Sequence, residues 1–167
     1  MIEARIKNPA MFNAEAMQAM QALGKAVEQS TIPPKTLALV HLRASQINGC
    51  SVCVDLSLRF NKAGDSNERL FAVAAWREAP WFSDAERAAL ALAEAVTRLS
   101  DRPDPVPDEI WNAAARFYNE SEMATLVLWI AITNVWNRLN VATRQVAGEW
   151  AKSLQAKKVM ENSAPAR

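Results

Sequence analysis

The two cysteines of the chain, Cys50 and Cys53, are separated by only two residues. Thiols at this spacing can close a disulfide with little rearrangement of the chain. Asn48-Gly49 marks a turn directly before the pair, and no glycine or proline follows until Gly64. We therefore expect the cysteines where a turn enters a helix. The free N–H groups and the positive dipole end there favour a thiolate, which makes the pair a candidate for redox chemistry.

Such a pair of cysteines can have three roles. If Cys53 attacks a peroxide it becomes a sulfenic acid, which Cys50 then converts to a disulfide with release of water. A zinc site needs four ligands, whereas the chain offers two Cys and one His. Inert packing of both cysteines in a core is the third alternative. The residue types favour redox chemistry and leave the other two open.

Two further residues are candidates because of their spacing from the cysteines. His41, the only histidine, lies nine residues before Cys50 on the preceding predicted helix, and it can reach the thiols if its face turns inward. Ser57 follows Cys53 by one helical turn; its hydroxyl can donate or accept a hydrogen bond but is no general base near neutral pH. An ordinary structural role stays open for both residues.

The bulk composition restricts the partners and the setting. The chain has 167 residues, which suits one domain, and a net charge of +1, which gives no strong attraction to nucleic acid or to an anionic membrane. No run approaches the roughly 18 apolar residues of a membrane span, and the N-terminus lacks the apolar centre of a signal peptide. We expect a cytoplasmic protein, where a Cys-x-x-Cys is more often catalytic or metal-binding than structural.

The elements that must position these residues are predicted to be helices. Only four glycines and eight prolines interrupt a chain rich in Ala, Leu, Glu and Arg, which favours an all-α fold. Ser83 and Glu86 have the spacing of a capping box. Residues 1–155 are predicted to form one domain and 156–167 a flexible tail. The predicted helices are 11–29, 34–47, the cysteine helix ending near 63, 66–76, 83–99, 108–118 and 121–150.

The last of these helices is apolar almost all round in its first half. Such a helix is either central to a core or buried in a subunit interface, so we expect an oligomer. Its second half carries a polar run that either satisfies buried groups or lines a cleft, with the structural role favoured: Asn134, Asn137, Arg138, Asn140 and Arg144.

Four segments in order, 42–55, 74–80, 86–97 and 134–140, resemble the AhpD-like alkylhydroperoxidase group of the carboxymuconolactone decarboxylase family. The resemblance extends over about residues 30–147. It implies an all-α, AhpD-like helical bundle that assembles as a homotrimer or homohexamer. It also implies peroxide reduction in which Cys53 is the peroxidatic thiol and Cys50 resolves it, with electrons from a dithiol such as a lipoyl group on a partner protein. No cofactor and no metal ion are expected.

Two departures from the family pattern bear on the proton relay. The family has a His four residues after the second cysteine and a Glu twelve residues before the first, where this chain has Ser57 and Ala38. His41, one turn beyond Ala38, is our candidate substitute. Loss of a general base commonly costs about 10²–10⁴ in rate, so we expect weak peroxidase activity or thiol–disulfide exchange. A non-catalytic oligomer or redox sensor is the alternative, and a lactone decarboxylase, which needs no cysteine pair, is the third.

Overall fold

The computed structural model describes residues 3–61, 63–100 and 102–152, and these residues form helices and turns without a strand. The prediction of an all-α fold is confirmed. The tail predicted from residue 156 lies outside the described residues, and the single-domain boundary stays a prediction. The helices are α1 Ala14–Glu28, α2 Pro34–Ile47, α3 Ser51–Arg59, α4 Asn67–Ala72, α5 Asp84–Thr97, α6 Asp108–Ala115, α7 Glu120–Ala142 and α8 Glu149–Lys152, with 3-10 turns at Pro9–Phe12 and Val73–Ala75.

Helix α2 is the central element, because it packs against α3, α5 and α7. One of its faces, with Leu37 and Val40, joins a core built with α5, α6 and α7. Its other face, with Leu39 and Leu42, joins a second core that includes Trp76. Since α2 is held on both sides, its C-terminal turn is a fixed point from which α3 begins. Within the described part of the chain, every helix is too short or too polar to cross a bilayer.

A buried carboxylate joins α5 to α2. Glu94 is 6% exposed. It accepts hydrogen bonds from Arg43 Nε at 2.7 Å and Trp76 Nε1 at 2.9 Å, and it pairs with Arg77 at 2.8 Å. Burial by itself raises the pKa of Glu94, but the hydrogen bonds from Arg77, Trp76 and Arg43 outweigh it and lower the pKa to about 2. The side chain is therefore ionised at neutral pH.

The predicted capping box is confirmed. Ser83 Oγ accepts the Glu86 N–H at 3.2 Å, and a carboxylate oxygen of Glu86 accepts the Ser83 N–H at 2.8 Å. Asn119 and Glu122 form a second capping box, at the start of α7. Helices α5 and α7 therefore begin at points that local sequence determines.

The first helix begins three residues later than predicted. Asn13 Oδ1 accepts the Ala16 N–H at 3.0 Å and caps α1, while the preceding residues form a 3-10 turn. Met11 and Phe12 are consequently 56% and 70% exposed. The prediction that the first helix begins at residue 11 was wrong.

Helix α3 ends at Arg59, four residues before the predicted end. The side chain of Asn61 exchanges two hydrogen bonds with the backbone of Asp65, at 2.6 Å and 3.1 Å. Such side chain–backbone bonds compete with helix continuation. Gly64 lies inside the resulting loop with a φ of 65°, so the glycine closes the loop and not the helix.

Helix α7 ends at Ala142, and the prediction of one helix through residue 150 was wrong. The Arg144 N–H donates to Val141 O at 3.1 Å and the Gln145 N–H to Asn140 O at 2.9 Å. These two bonds form a Schellman motif, in which the left-handed residue is usually glycine. Here that residue is Arg144, with a φ of 53°. Sequence reasoning missed the end because no glycine marks it.

Candidate active site

Cys50 and Cys53 are joined by a disulfide where the turn after α2 enters α3. Cys50 is the N-cap residue of α3, and its Sγ accepts the Cys53 N–H at 3.3 Å. The predicted placement of the pair at a helix N-terminus is confirmed. Both side chains are buried, at 1% and 2% exposure, so a reagent must reach them through an opening and cannot meet them on a flat surface.

The turn that carries the pair is held by α7. Asn48 Nδ2 donates to Asn134 Oδ1 at 2.9 Å and to Asn137 Oδ1 at 2.8 Å. The amide orientations follow from the neighbours, because Asn134 Nδ2 also donates to the carbonyl of Ile130, which can only accept. Asn137 Nδ2 in turn donates to Ser45 Oγ on α2. A buried polar network thus fixes the residues directly before Cys50.

The structure brings His41 and Ser57 together beside the cysteine pair. His41 Nδ1 and Ser57 Oγ are 3.0 Å apart, and Ser57 Oγ donates to the carbonyl of Cys53 at 3.0 Å. The hydroxyl has a single proton, and the carbonyl can only accept. His41 Nδ1 must therefore carry the proton of the neutral ring and donate it to Ser57. The Ser57 hydroxyl is directed at the Cys53 carbonyl, so this arrangement is no direct proton path to the Cys53 sulfur.

The His41 ring is neutral at neutral pH. Burial lowers the pKa of His41 from 6.5 to about 4, since the protonated ring loses its water there. The ring packs beside Trp129, with the centroids 6.0 Å apart. A base with this pKa accepts a proton poorly at neutral pH. His41 contacts Ser57; its reach to the thiols and its relay role stay predictions.

Asn140 is a site residue that sequence reasoning left in an undifferentiated polar run. Its Nδ2 lies 3.4 Å from Cys53 Sγ, within hydrogen-bonding distance for sulfur. The available signal was spacing: Asn134, Asn137 and Asn140 recur every three residues, which keeps them on one face of α7. Arg138 falls off that face and is exposed. The run therefore serves both of the alternatives considered, a buried network and a cleft.

A cleft of about 330 Å³ opens between the start of α3 and the end of α7. Cys50 lines this cleft, whereas Cys53 is not among the lining residues. Arg144 contributes the one charged side chain among the lining residues. These are Gly49, Cys50, Ser51, Val52, Asn140, Val141, Arg144 and Gln145. A small molecule can thus approach the disulfide from the Cys50 side. Across the described residues, His, Cys, Asp and Glu side chains form no group of three suited to a metal ion.

Sequence comparison identifies the protein family to which this helical fold and its cysteine motif belong. The family model of the carboxymuconolactone decarboxylase family matches residues 14–95. The chain is 36% identical over 129 residues to the uncharacterized protein YdfG of Bacillus subtilis (strain 168). The aligned region covers 77% of this chain and 86% of YdfG. It is 34% identical over 116 residues to the uncharacterized protein YnjA of Escherichia coli (strain K12), covering 69% of this chain and 62% of YnjA. The chain belongs to the carboxymuconolactone decarboxylase family.

Solved structures place the fold within that family. ATU0492 from Agrobacterium tumefaciens, a protein of unknown function provisionally described as an antioxidant defence protein AhpD, superposes with a TM-score of 0.79 at 32% identity, covering 87% of this chain and 98% of that one. The debrominase Bmp8 superposes with a TM-score of 0.72 at 22% identity, covering 92% of this chain and 79% of that one. The fold is AhpD-like; the debrominase shares the fold alone at that identity.

Proposed function

We propose that this chain is a thiol-dependent peroxidase and disulfide oxidoreductase that works through a Cys50/Cys53 cycle. The observation that carries the proposal is a disulfide at the start of α3 in which each sulfur has an N–H donor within hydrogen-bonding distance. Such donors stabilise sulfur as a thiolate, which is the reactive form. The adjoining cleft supplies an approach for a small reagent.

The cycle balances in three steps. The Cys53 thiolate attacks the terminal peroxide oxygen and the O–O bond breaks, giving a Cys53 sulfenic acid and an alkoxide that takes up the proton released by the Cys53 thiol and leaves as the alcohol. The Cys50 thiol then attacks the Cys53 sulfur, forms the disulfide and releases water. Finally one thiolate of a reducing dithiol attacks Cys50, Cys53 leaves as a thiolate, and the second thiol of the reductant frees Cys50. Two electrons pass from the dithiol to the peroxide.

The peroxide step should be the slow one. The alcohol that leaves needs a proton, yet His41 is a weak base that donates to Ser57, and Ser57 donates to a backbone carbonyl. Neither side chain is arranged to move a proton at the Cys53 sulfur. Missing acid–base assistance costs about 10²–10⁴ in rate. Reduction of the disulfide by a dithiol depends less on these groups, so we propose that this half of the cycle is the faster.

The reductant should be a slim dithiol. Both cysteines are almost fully buried, and the cleft leads to Cys50 first. A folded protein surface cannot enter such an opening, whereas a dithiol at the end of a flexible arm can. A free dithiol or a lipoyl group on a carrier protein fits this requirement, and a cytoplasmic setting would supply it.

Mass spectrometry tests the cycle. The reduced protein receives one equivalent of peroxide, and free thiols are then alkylated. We expect the loss of two hydrogen atoms and a cross-link between the peptides of Cys50 and Cys53. The Cys50→Ser variant should stop at a Cys53 sulfenic acid, and Cys53→Ser should stay reduced at the same peroxide concentration. Unmodified thiols in the wild-type protein contradict the proposal.

Turnover assays with a dithiol and with a lactone separate the other two functions. A redox sensor forms the disulfide but shows no repeated turnover with any dithiol. A lactone decarboxylase consumes lactone at an unchanged rate when Cys50 and Cys53 are both replaced by Ser. Either result replaces the peroxidase proposal.

We also propose that the exposed face of α7 joins copies of the chain in a homotrimer or homohexamer. Ala124, Leu128, Ala131 and Val135 are all exposed and follow one another at alternating spacings of four and three, the pattern of a helix–helix seam. Leu128 and Val135 are 39% and 44% exposed. Light scattering should give an oligomer for the wild type and a smaller species for Leu128→Glu. Leu99→Glu, at an equally apolar exposed site outside α7, should leave the mass unchanged; equal masses for all three proteins would exclude this face.

A further inference from the structure

We propose that Asn140 is a catalytic residue. Its side-chain N–H stabilises the thiolate of Cys53, and Asn8 orients the Asn140 side chain. The proposal deepens the redox cycle proposed above and rests on it for its functional meaning. Its geometric basis is a chain of contacts: Asn8 Nδ2 donates to Asn140 Oδ1 at 2.7 Å, and Asn140 Nδ2 lies 3.4 Å from Cys53 Sγ.

The direction of the Asn140 amide is set by a backbone group two contacts away. The Ala10 N–H can only donate, and it donates to Asn8 Oδ1 at 3.0 Å. The other atom of the Asn8 amide is therefore Nδ2, which is a donor, so the Asn140 atom that faces it must be the acceptor Oδ1. This leaves Nδ2 of Asn140 turned toward the Cys53 sulfur. A flipped Asn140 would set one NH₂ group against another.

The segment that carries Asn8 is tied to the end of α7 at several points. The Arg5 N–H donates to Thr143 O at 2.9 Å, and Gln145 Nε2 donates to Ile6 O at 2.8 Å. These bonds bring the N-terminal segment against the last turn of α7, where Asn140 lies. Asn8 is thus a positioning residue that acts through Asn140 and does not touch the reacting sulfur.

The N–H of Asn140 should matter most when the disulfide is open. A thiolate is a stronger acceptor than a neutral thiol, so the contact lowers the pKa of Cys53. Cys50 is the N-cap residue of α3, and its sulfur already accepts the backbone N–H of Cys53. Cys53 lies within the helix, and the donor to its sulfur comes from α7. When a reductant attacks Cys50, Cys53 is the leaving thiolate, and a thiol of lower pKa leaves faster.

The test measures the pKa of Cys53 in a Cys50→Ser background, where it is the sole thiol. The pH dependence of alkylation by iodoacetamide gives this pKa directly. Since a hydrogen bond to a charged group is the stronger kind, we expect Asn140→Ala to raise the pKa by about 1 to 2 units. Asn140→Asp keeps the shape and replaces the donor with a negative charge, so it should raise the pKa further.

Double substitution tests the role of Asn8. Asn8→Ala should raise the Cys53 pKa in the Asn140 protein and leave it unchanged in the Asn140→Ala protein, because Asn8 acts only through Asn140. Arg5→Gln is the matched control: it removes another side-chain tie of the same segment, from Arg5 to Ala142 O, and should shift the pKa much less. Equal effects of Asn8→Ala in both backgrounds would make its role structural only.

The outcomes separate this inference from the proposed function. An unchanged Cys53 pKa in a folded Asn140→Ala protein, checked by circular dichroism and thermal melting, overturns the inference. A raised pKa in a protein that never consumes peroxide keeps the inference and removes the peroxidase proposal, because the thiol titration does not depend on turnover.

Discussion

Replacing Asn48 by Ala should destabilise the protein and loosen the turn that carries the disulfide. The substitution removes two hydrogen-bond donors at once, those to Asn134 Oδ1 and Asn137 Oδ1. Asn137 is fully buried and Asn134 is 5% exposed, so both oxygens stay inside the fold without the donor they had. Each buried acceptor left unsatisfied costs about 1–3 kcal/mol, which gives about 2–6 kcal/mol for Asn48→Ala.

Thermal melting of the oxidised protein measures this loss. For a chain of this size 1 kcal/mol corresponds to about 2–4 °C, so the Tm should fall by about 10 °C. Asn13→Ala is the control: Asn13 is exposed and makes a single capping bond to the Ala16 N–H, worth about 1 kcal/mol. A fall in Tm for Asn48→Ala no larger than that of Asn13→Ala would refute the role given to this network.

The remaining predictions concern ionisation and local conformation. Glu94→Gln should cost about 3 kcal/mol in urea unfolding because it leaves Arg43, whose side chain is only 13% exposed, without its carboxylate partner. Glu149→Gln, in an exposed pair, should cost less than about 0.5 kcal/mol. The pKa of His41 is about 4 when folded and 6.5 when unfolded, so the unfolded chain binds the proton first and stability is lost as pH falls from 6.5 to 4; His41→Gln should remove this slope from thermal melts. Ser57→His should raise the peroxide rate in stopped-flow assays by placing a base one turn after the attacking thiol; no gain would locate the limiting step elsewhere. Arg144→Gly should raise the free energy of unfolding by about 1 kcal/mol, because glycine adopts the positive φ of this position without strain. An unchanged free energy of unfolding would show that Arg144 is not strained there.

Local signals in the sequence were sufficient for several elements. Helix α2 has the predicted bounds, residues 34 and 47, and ends at the Asn48-Gly49 turn, and the Ser83–Glu86 box marks the start of α5. The placement of the cysteine pair at the start of α3 followed from the same turn. These features depend on bonds between residues close in sequence, so the residue types are enough to predict them.

The parts that were missed depend on contacts between distant residues or on unusual conformations. Asn8 and Asn140 are 132 residues apart, and nothing in the local sequence of either predicts that they meet. The end of α7 depends on Arg144 adopting a conformation that glycine usually takes. The contact of His41 with Ser57 and the direction of the Ser57 hydroxyl toward a carbonyl are visible only in three dimensions.

Steady-state turnover tests the central claim most directly. Dihydrolipoamide and a peroxide are mixed with the wild-type protein or with Cys53→Ser, and the formation of lipoamide is followed over many equivalents. The account predicts repeated turnover by the wild type and a rate at the uncatalysed background for Cys53→Ser. Equal rates for the two proteins would contradict a redox cycle at the start of α3.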